Sequence, residues 1–126
     1  MKIILLATLA LFSASTLAAP RLCPVNTIES VQCTADAWVA LVPFVSLCES
    51  HQGSLIVMDP GAGRSAMIYL AEKTETEQKI IYTAVEENTD NLKLQLMKGQ
   101  TAKVKGQLSY SSLGTTFVMN FSCKVK

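Results

Sequence analysis

The chain reads as a small all-β domain, an antiparallel β-barrel or sandwich of about seven to eight mostly hairpin-connected strands stabilised by disulfides. Three observations predict it. From Ser54 onward, apolar and polar residues alternate with a period near two, in short runs separated by Gly, Asn, Asp and Glu clusters. No long stretch carries the helical period, so the crossover that a parallel sheet needs is missing. Four cysteines, Cys23, Cys33, Cys48 and Cys123, sit in a chain of only 126 residues, an even count typical of oxidised exported domains.

Residues 1–19 read as a cleaved export signal. Lys2 supplies the positive start, Ile3 to Phe12 the apolar stretch, and Ser13 to Ala19 the small-residue approach to cleavage after Ala19. The apolar stretch is about half as long as the roughly twenty residues that span a bilayer, so it is expected to be removed and not kept as an anchor. Residues 20–126 then make a single domain with one core. The expected location is the periplasm or exterior of a bacterium, as a secreted protein without a membrane span. Cys23 follows Pro20, Arg21 and Leu22 where a lipoprotein signal carries small residues, so it is not read as a lipid anchor.

Ile28 to Cys33 is a short first strand. The nearly unbroken apolar run Ala37 to Leu47 fits a buried strand or a short buried helix; Val39, Val42, Phe44 and Val45 favour strand, with a break or bulge at Pro43. Leu55 to Met58 and Ser65 to Ala71 flank Asp59-Pro60-Gly61-Ala62-Gly63-Arg64, a strong turn signal, and form a hairpin. Glu72 to Gln78 is too charged to bury and reads as a loop, and Lys79 to Val85 as a strand. After the polar Glu86 to Asn91 turn, Leu92, Leu94 and Leu96 share one face of a strand. A last hairpin turns at Ser111 to Gly114, with Val104, Gly106, Leu108 and Tyr110 on its core face in one arm and Phe117, Met119, Phe121, Cys123 and Val125 in the other.

The cysteines are expected to form two disulfides. Zinc is disfavoured, because spacings of 10, 15 and 75 contain no C-x-x-C and His51 is the single histidine. In an up-and-down order the first and last strands meet, so Cys48, in an early strand, is expected to pair with Cys123, leaving Cys23 to pair with Cys33.

Charge removes one class of function and suggests another. Without the leader the chain loses only Lys2, leaving ten Lys and Arg against ten Asp and Glu, so the basic excess of a nucleic-acid binder is absent. The charges are segregated, however: from Asn91 to Lys126 there are six lysines and no acid. In the expected register Lys93, Lys103, Lys105 and Lys124 point outward from neighbouring strands and make a basic face. With Arg64 at its turn tip, these are the candidate contacts for an anionic envelope polymer, a lipid head group or a protein. The plain alternative is that outward lysines protect strand edges and keep the protein soluble.

Other motifs carry less. There is no G-x-S-x-G and no visible partner for a nucleophile, so His51 reads as a turn residue and no catalytic residue is assigned. Pro60 to Ser65 has the glycines of an anion loop, but Met67, Ile68 and Tyr69 resume a strand where a phosphate loop needs a helix. The acids Glu72, Glu75, Glu77, Glu86, Glu87 and Asp90 lack the spacing of a calcium loop, and no metal or cofactor is expected.

An exported, disulfide-closed small all-β domain resembles in architecture the periplasmic inhibitors of C-type lysozyme, which also join an early to a late cysteine. Gly61, Gly63 and Ser65 are the sole counterpart of their Ser-Gly-x-Gly-type loop, so the resemblance carries no inhibitory residue to this chain. The expected function is a non-enzymatic binding protein; the alternatives are a small secreted hydrolase or an assembly protein pairing through an exposed sheet edge. A cavity lined by Leu94, Leu108 and Phe117 would favour a lipophilic ligand, and a filled core would favour contact through the surface.

Overall fold

The computed structural model describes residues 22–37, 42–61, 63–85 and 91–126. Residues 1–19, read from the sequence as an export signal, the stretch 38–41 and the acidic segment 86–90 lie outside them. The strands are β1 (Ile28–Ala35), β2 (Phe44–Ser50), β3 (Gly53–Asp59), β4 (Met67–Glu75), β5 (Lys79–Ala84), β6 (Lys93–Met97), β7 (Lys103–Ser112) and β8 (Thr115–Val125). Each pairs antiparallel with the next, and β8 returns to β1, closing an eight-stranded up-and-down barrel. Among the described residues there is no helix.

The alternation read from the sequence sets the inner face. Leu47, Ile56, Leu94, Leu108 and Phe121, from five different strands, are fully buried in the interior. An eight-stranded barrel is just wide enough for such side chains to fill. Packing is closest at Gly106, where an added Cβ would stand 2.7 Å from the Cys123 sulfur. Leu94 and Leu108 therefore belong to a filled core, while Phe117 stands 40% exposed where the β7–β8 hairpin outruns the barrel. That hairpin turns on Leu113 and Gly114, both at positive φ (52° and 80°), the backbone of a two-residue type I′ turn.

Two expectations need correction. The disulfides are Cys23–Cys48 and Cys33–Cys123, not Cys48–Cys123 with Cys23–Cys33. First and last strands do meet, but the strand that meets β8 is β1, and there Cys33 lies directly across from Cys123. Strand parity excludes the other pairing: Val45 and Leu47 take the inner face of β2, which sends Ser46 and Cys48 to the outer face, where Cys23 of the N-terminal segment reaches Cys48. The seam bridge joins residues 90 apart, and in the chain-entropy model such a loop contributes about 4 to 5 kcal/mol. Two disulfides fit an oxidising, extracytoplasmic environment.

The second correction concerns Glu72 to Glu75, which continue β4 and do not form a loop. They pair with Thr83 to Ile80 of β5 while remaining exposed. Beyond Ala71 β4 has no β3 partner and continues only as a ladder with β5, which needs no apolar face on β4 itself, so charge opposes burial but not strand formation. The turn itself is only Thr76 to Gln78, held by the Thr76 hydroxyl, which accepts from the Lys79 amide at 3.1 Å.

A bulge in β1 shifts the register between Glu29 and Val31. Without it Glu29 would share the inner face with Val31 and Cys33. The bulge turns Glu29 outward, where it accepts a hydrogen bond from Ser46 Oγ at 2.9 Å and pairs with Lys126.

Candidate functional site

Closure of the barrel at β1–β8 creates a surface that neither strand has alone. Outward residues of β7, β8 and β1 line up in two rows: Lys103, Lys124 and Gln32 in the first, Lys105, Ser122 and Thr34 in the second. These six side chains line an outer groove of about 590 Å³. Adjacent strands stand about 4.8 Å apart and alternate residues about 7 Å apart, so the face presents donors on a fixed grid.

The first row places two ammonium groups directly across a strand pair. Like charges in that position oppose pairing by a few tenths of a kcal/mol. Among the described residues no acid pairs with Lys103 or Lys124, whereas Lys126 pairs with Glu29 and Lys98 with Glu75 at 3.3 Å. In the second row Lys105 Nζ lies 3.5 Å from Asp36 Oδ2 and 3.3 Å from Ser122 Oγ.

Three of the five candidate contacts, Lys103, Lys105 and Lys124, thus come together. Lys93 points outward but pairs with Ser109, about 13 Å along β7 from Lys105. Arg64 lies in the β3–β4 turn, outside the groove lining, exposed, its guanidinium donating to the Pro60 carbonyl at 3.4 Å. Gln32, Thr34, Ser122 and Asp36 were not singled out by sequence. Their signal is the polar outer face of Gln32 and Thr34, which gains meaning only once β1 is known to pair with β8.

The closed barrel bears on the alternatives. The barrel closes through β1–β8 but not over its whole height: Glu72–Glu75 of β4, Lys103–Lys105 of β7 and Thr115–Met119 of β8 each pair on one side only, so edge protection by lysines and pairing through a sheet edge both keep a structural basis. For a hydrolase the nearest candidate is the polar cluster at the end of the barrel where β2 and β3 connect. There the Glu49 carboxylate accepts from Ser30 Oγ at 3.1 Å and Ser54 Oγ at 2.7 Å. His51 is exposed in the β2–β3 turn. Burial, reinforced by Glu49 and Glu75, raises the Tyr82 phenol above its ordinary value of 10. Among the described residues no three His, Cys, Asp or Glu side chains could together hold a metal ion.

Comparison with protein-family models, with curated proteins and with solved structures finds no match.

Proposed function

We propose that the chain is an exported, non-enzymatic binding protein of the bacterial periplasm or exterior, and that it holds an anionic envelope component against the outer groove of β7, β8 and β1. The observation that carries this reading is the first row: two lysines facing each other across a strand pair, with no acid between them and the Gln32 amide beside them. A phosphate or carboxylate placed there would relieve their repulsion and accept from both. The filled interior supports contact through the surface in preference to a ligand inside the barrel.

Retention on phosphocellulose tests the reading. Lys103→Gln/Lys124→Gln is expected to elute at clearly lower salt than the unmodified protein. Lys93→Gln/Arg64→Gln, with the same change in net charge, is expected to elute near it. Two exposed ion pairs at about 1 kcal/mol each correspond to roughly thirtyfold in affinity. Equal shifts in both double variants would reduce the effect to net charge and remove the groove from the argument.

A further inference from the structure

The second row of the groove is already filled by a carboxylate of the chain itself. Asp36 directly follows β1, and its amide donates to the Asn120 carbonyl at 3.0 Å, which holds it beside β8. Its Oδ1 accepts from the Ser122 hydroxyl, and its Oδ2 faces the Lys105 ammonium at 3.5 Å. Lys105 Nζ also reaches Ser122 Oγ, so the three groups form a closed set. The first row has the same kind of donors and no such occupant among the described residues.

We infer that the groove has two anion subsites, and that Asp36 is a resident carboxylate that occupies one and leaves the other, at Lys103, Lys124 and Gln32, for the ligand. This rests on the functional reading above and narrows it. The ligand class is one whose anionic groups, phosphate or carboxylate, are spaced widely enough to engage singly. A densely charged polyanion would have to displace Asp36 from Lys105 and Ser122, since the subsites are only about 7 Å apart along β7. Asp36 is thus a specificity-determining residue, selecting against high charge density.

The test compares inorganic phosphate, which fills one subsite, with inorganic tripolyphosphate, which reaches both, by amide-shift titration of the unmodified protein and its variants. Asp36→Asn is expected to raise tripolyphosphate affinity by roughly three- to fivefold, the factor carried by one exposed ion pair, and to change phosphate affinity by less than about twofold. Glu77→Gln, with the same change in net charge on an exposed turn, is expected to alter neither. Adding Lys105→Gln to Asp36→Asn should cancel the gain. Equal gains for both anions in Asp36→Asn, or no gain for either while Lys103→Gln/Lys124→Gln still abolishes binding, would overturn the role of Asp36 and leave the groove reading intact. No binding of either anion by the unmodified protein, or binding undiminished in Lys103→Gln/Lys124→Gln, would overturn both.

Discussion

Gly106→Ala is the substitution whose consequence follows most directly from the barrel interior. Gly106 is on the inner face of β7, opposite Phe121, and its φ lies outside the left-handed region, so the backbone alone would accept alanine. Alanine there would even gain about 0.4 to 1 kcal/mol by restricting the unfolded chain. The added methyl, however, would lie 2.7 Å from Cys123 Sγ and 3.2 Å from Leu96 Cδ2. Leu96 can move its terminal carbon by a few tenths of an ångström. The sulfur cannot, because it is bonded to Cys33 across the seam. Relief then requires β7 or the seam to shift, at a cost of about 1 to 3 kcal/mol for overpacking, which outweighs the backbone gain. The net expectation is a loss of about 1 to 2 kcal/mol and a fall in Tm of roughly 5 to 10 °C for a domain of this size. Urea unfolding at low temperature, repeated in a Cys33→Ala/Cys123→Ala background, isolates the cause. With the sulfur gone, Gly106→Ala should be neutral or stabilising, a coupling of at least about 1 kcal/mol. Equal destabilisation in both backgrounds would refute the argument, as would a stabilised disulfide-intact variant.

Three further outcomes follow from the same structure. Lys124→Glu, which faces a carboxylate toward Lys103, should raise stability by about 0.2 to 1 kcal/mol in thermal unfolding while abolishing phosphate binding; a concurrent loss of stability would argue against the repulsive pair. Leu113→Asn replaces a fully exposed apolar side chain at φ 52° with a residue suited to a type I′ turn, and should stabilise the protein by roughly 1 kcal/mol in urea unfolding. The raised Tyr82 phenol means that, once pH exceeds the unfolded value near 10, the unfolded chain releases the proton first. The contribution of Tyr82 is therefore full below pH 10 and is lost as pH rises through the folded value, so Tyr82→Phe should flatten the alkaline fall in urea stability; an unchanged slope would contradict the shift.

Much of the fold is legible in the sequence because β-strand side chains alternate strictly. The inner faces of β6, β7 and β8 follow from Leu92 to Leu96, Val104 to Tyr110 and Phe117 to Val125, and the last turn from Ser111 to Gly114. Alternation does not report how far a strand runs beyond the core, so Glu72 to Glu75 read as loop although they pair with β5. Nor does it survive a bulge: Glu29 changes faces relative to Val31 through one extra residue that leaves no mark on composition. The loss of clear alternation in β2 has a similar origin, since its outer Ser46 and Cys48 are buried along with its inner Val45 and Leu47.

The candidate site divides along the same line. That Lys103, Lys105 and Lys124 face outward is a local property of two strands joined by a short hairpin, and parity alone determines it. That Gln32, Thr34 and Asp36 stand beside them depends on closure between strands at opposite ends of the chain, which no local pattern encodes. The cysteines show the division most clearly. An even number in a small domain with an export-type start determines that disulfides form, because oxidation is a property of composition and compartment. Which cysteine meets which depends on which strand closes the barrel and on which face each sulfur lies, and those are decided only when β1 and β8 come together.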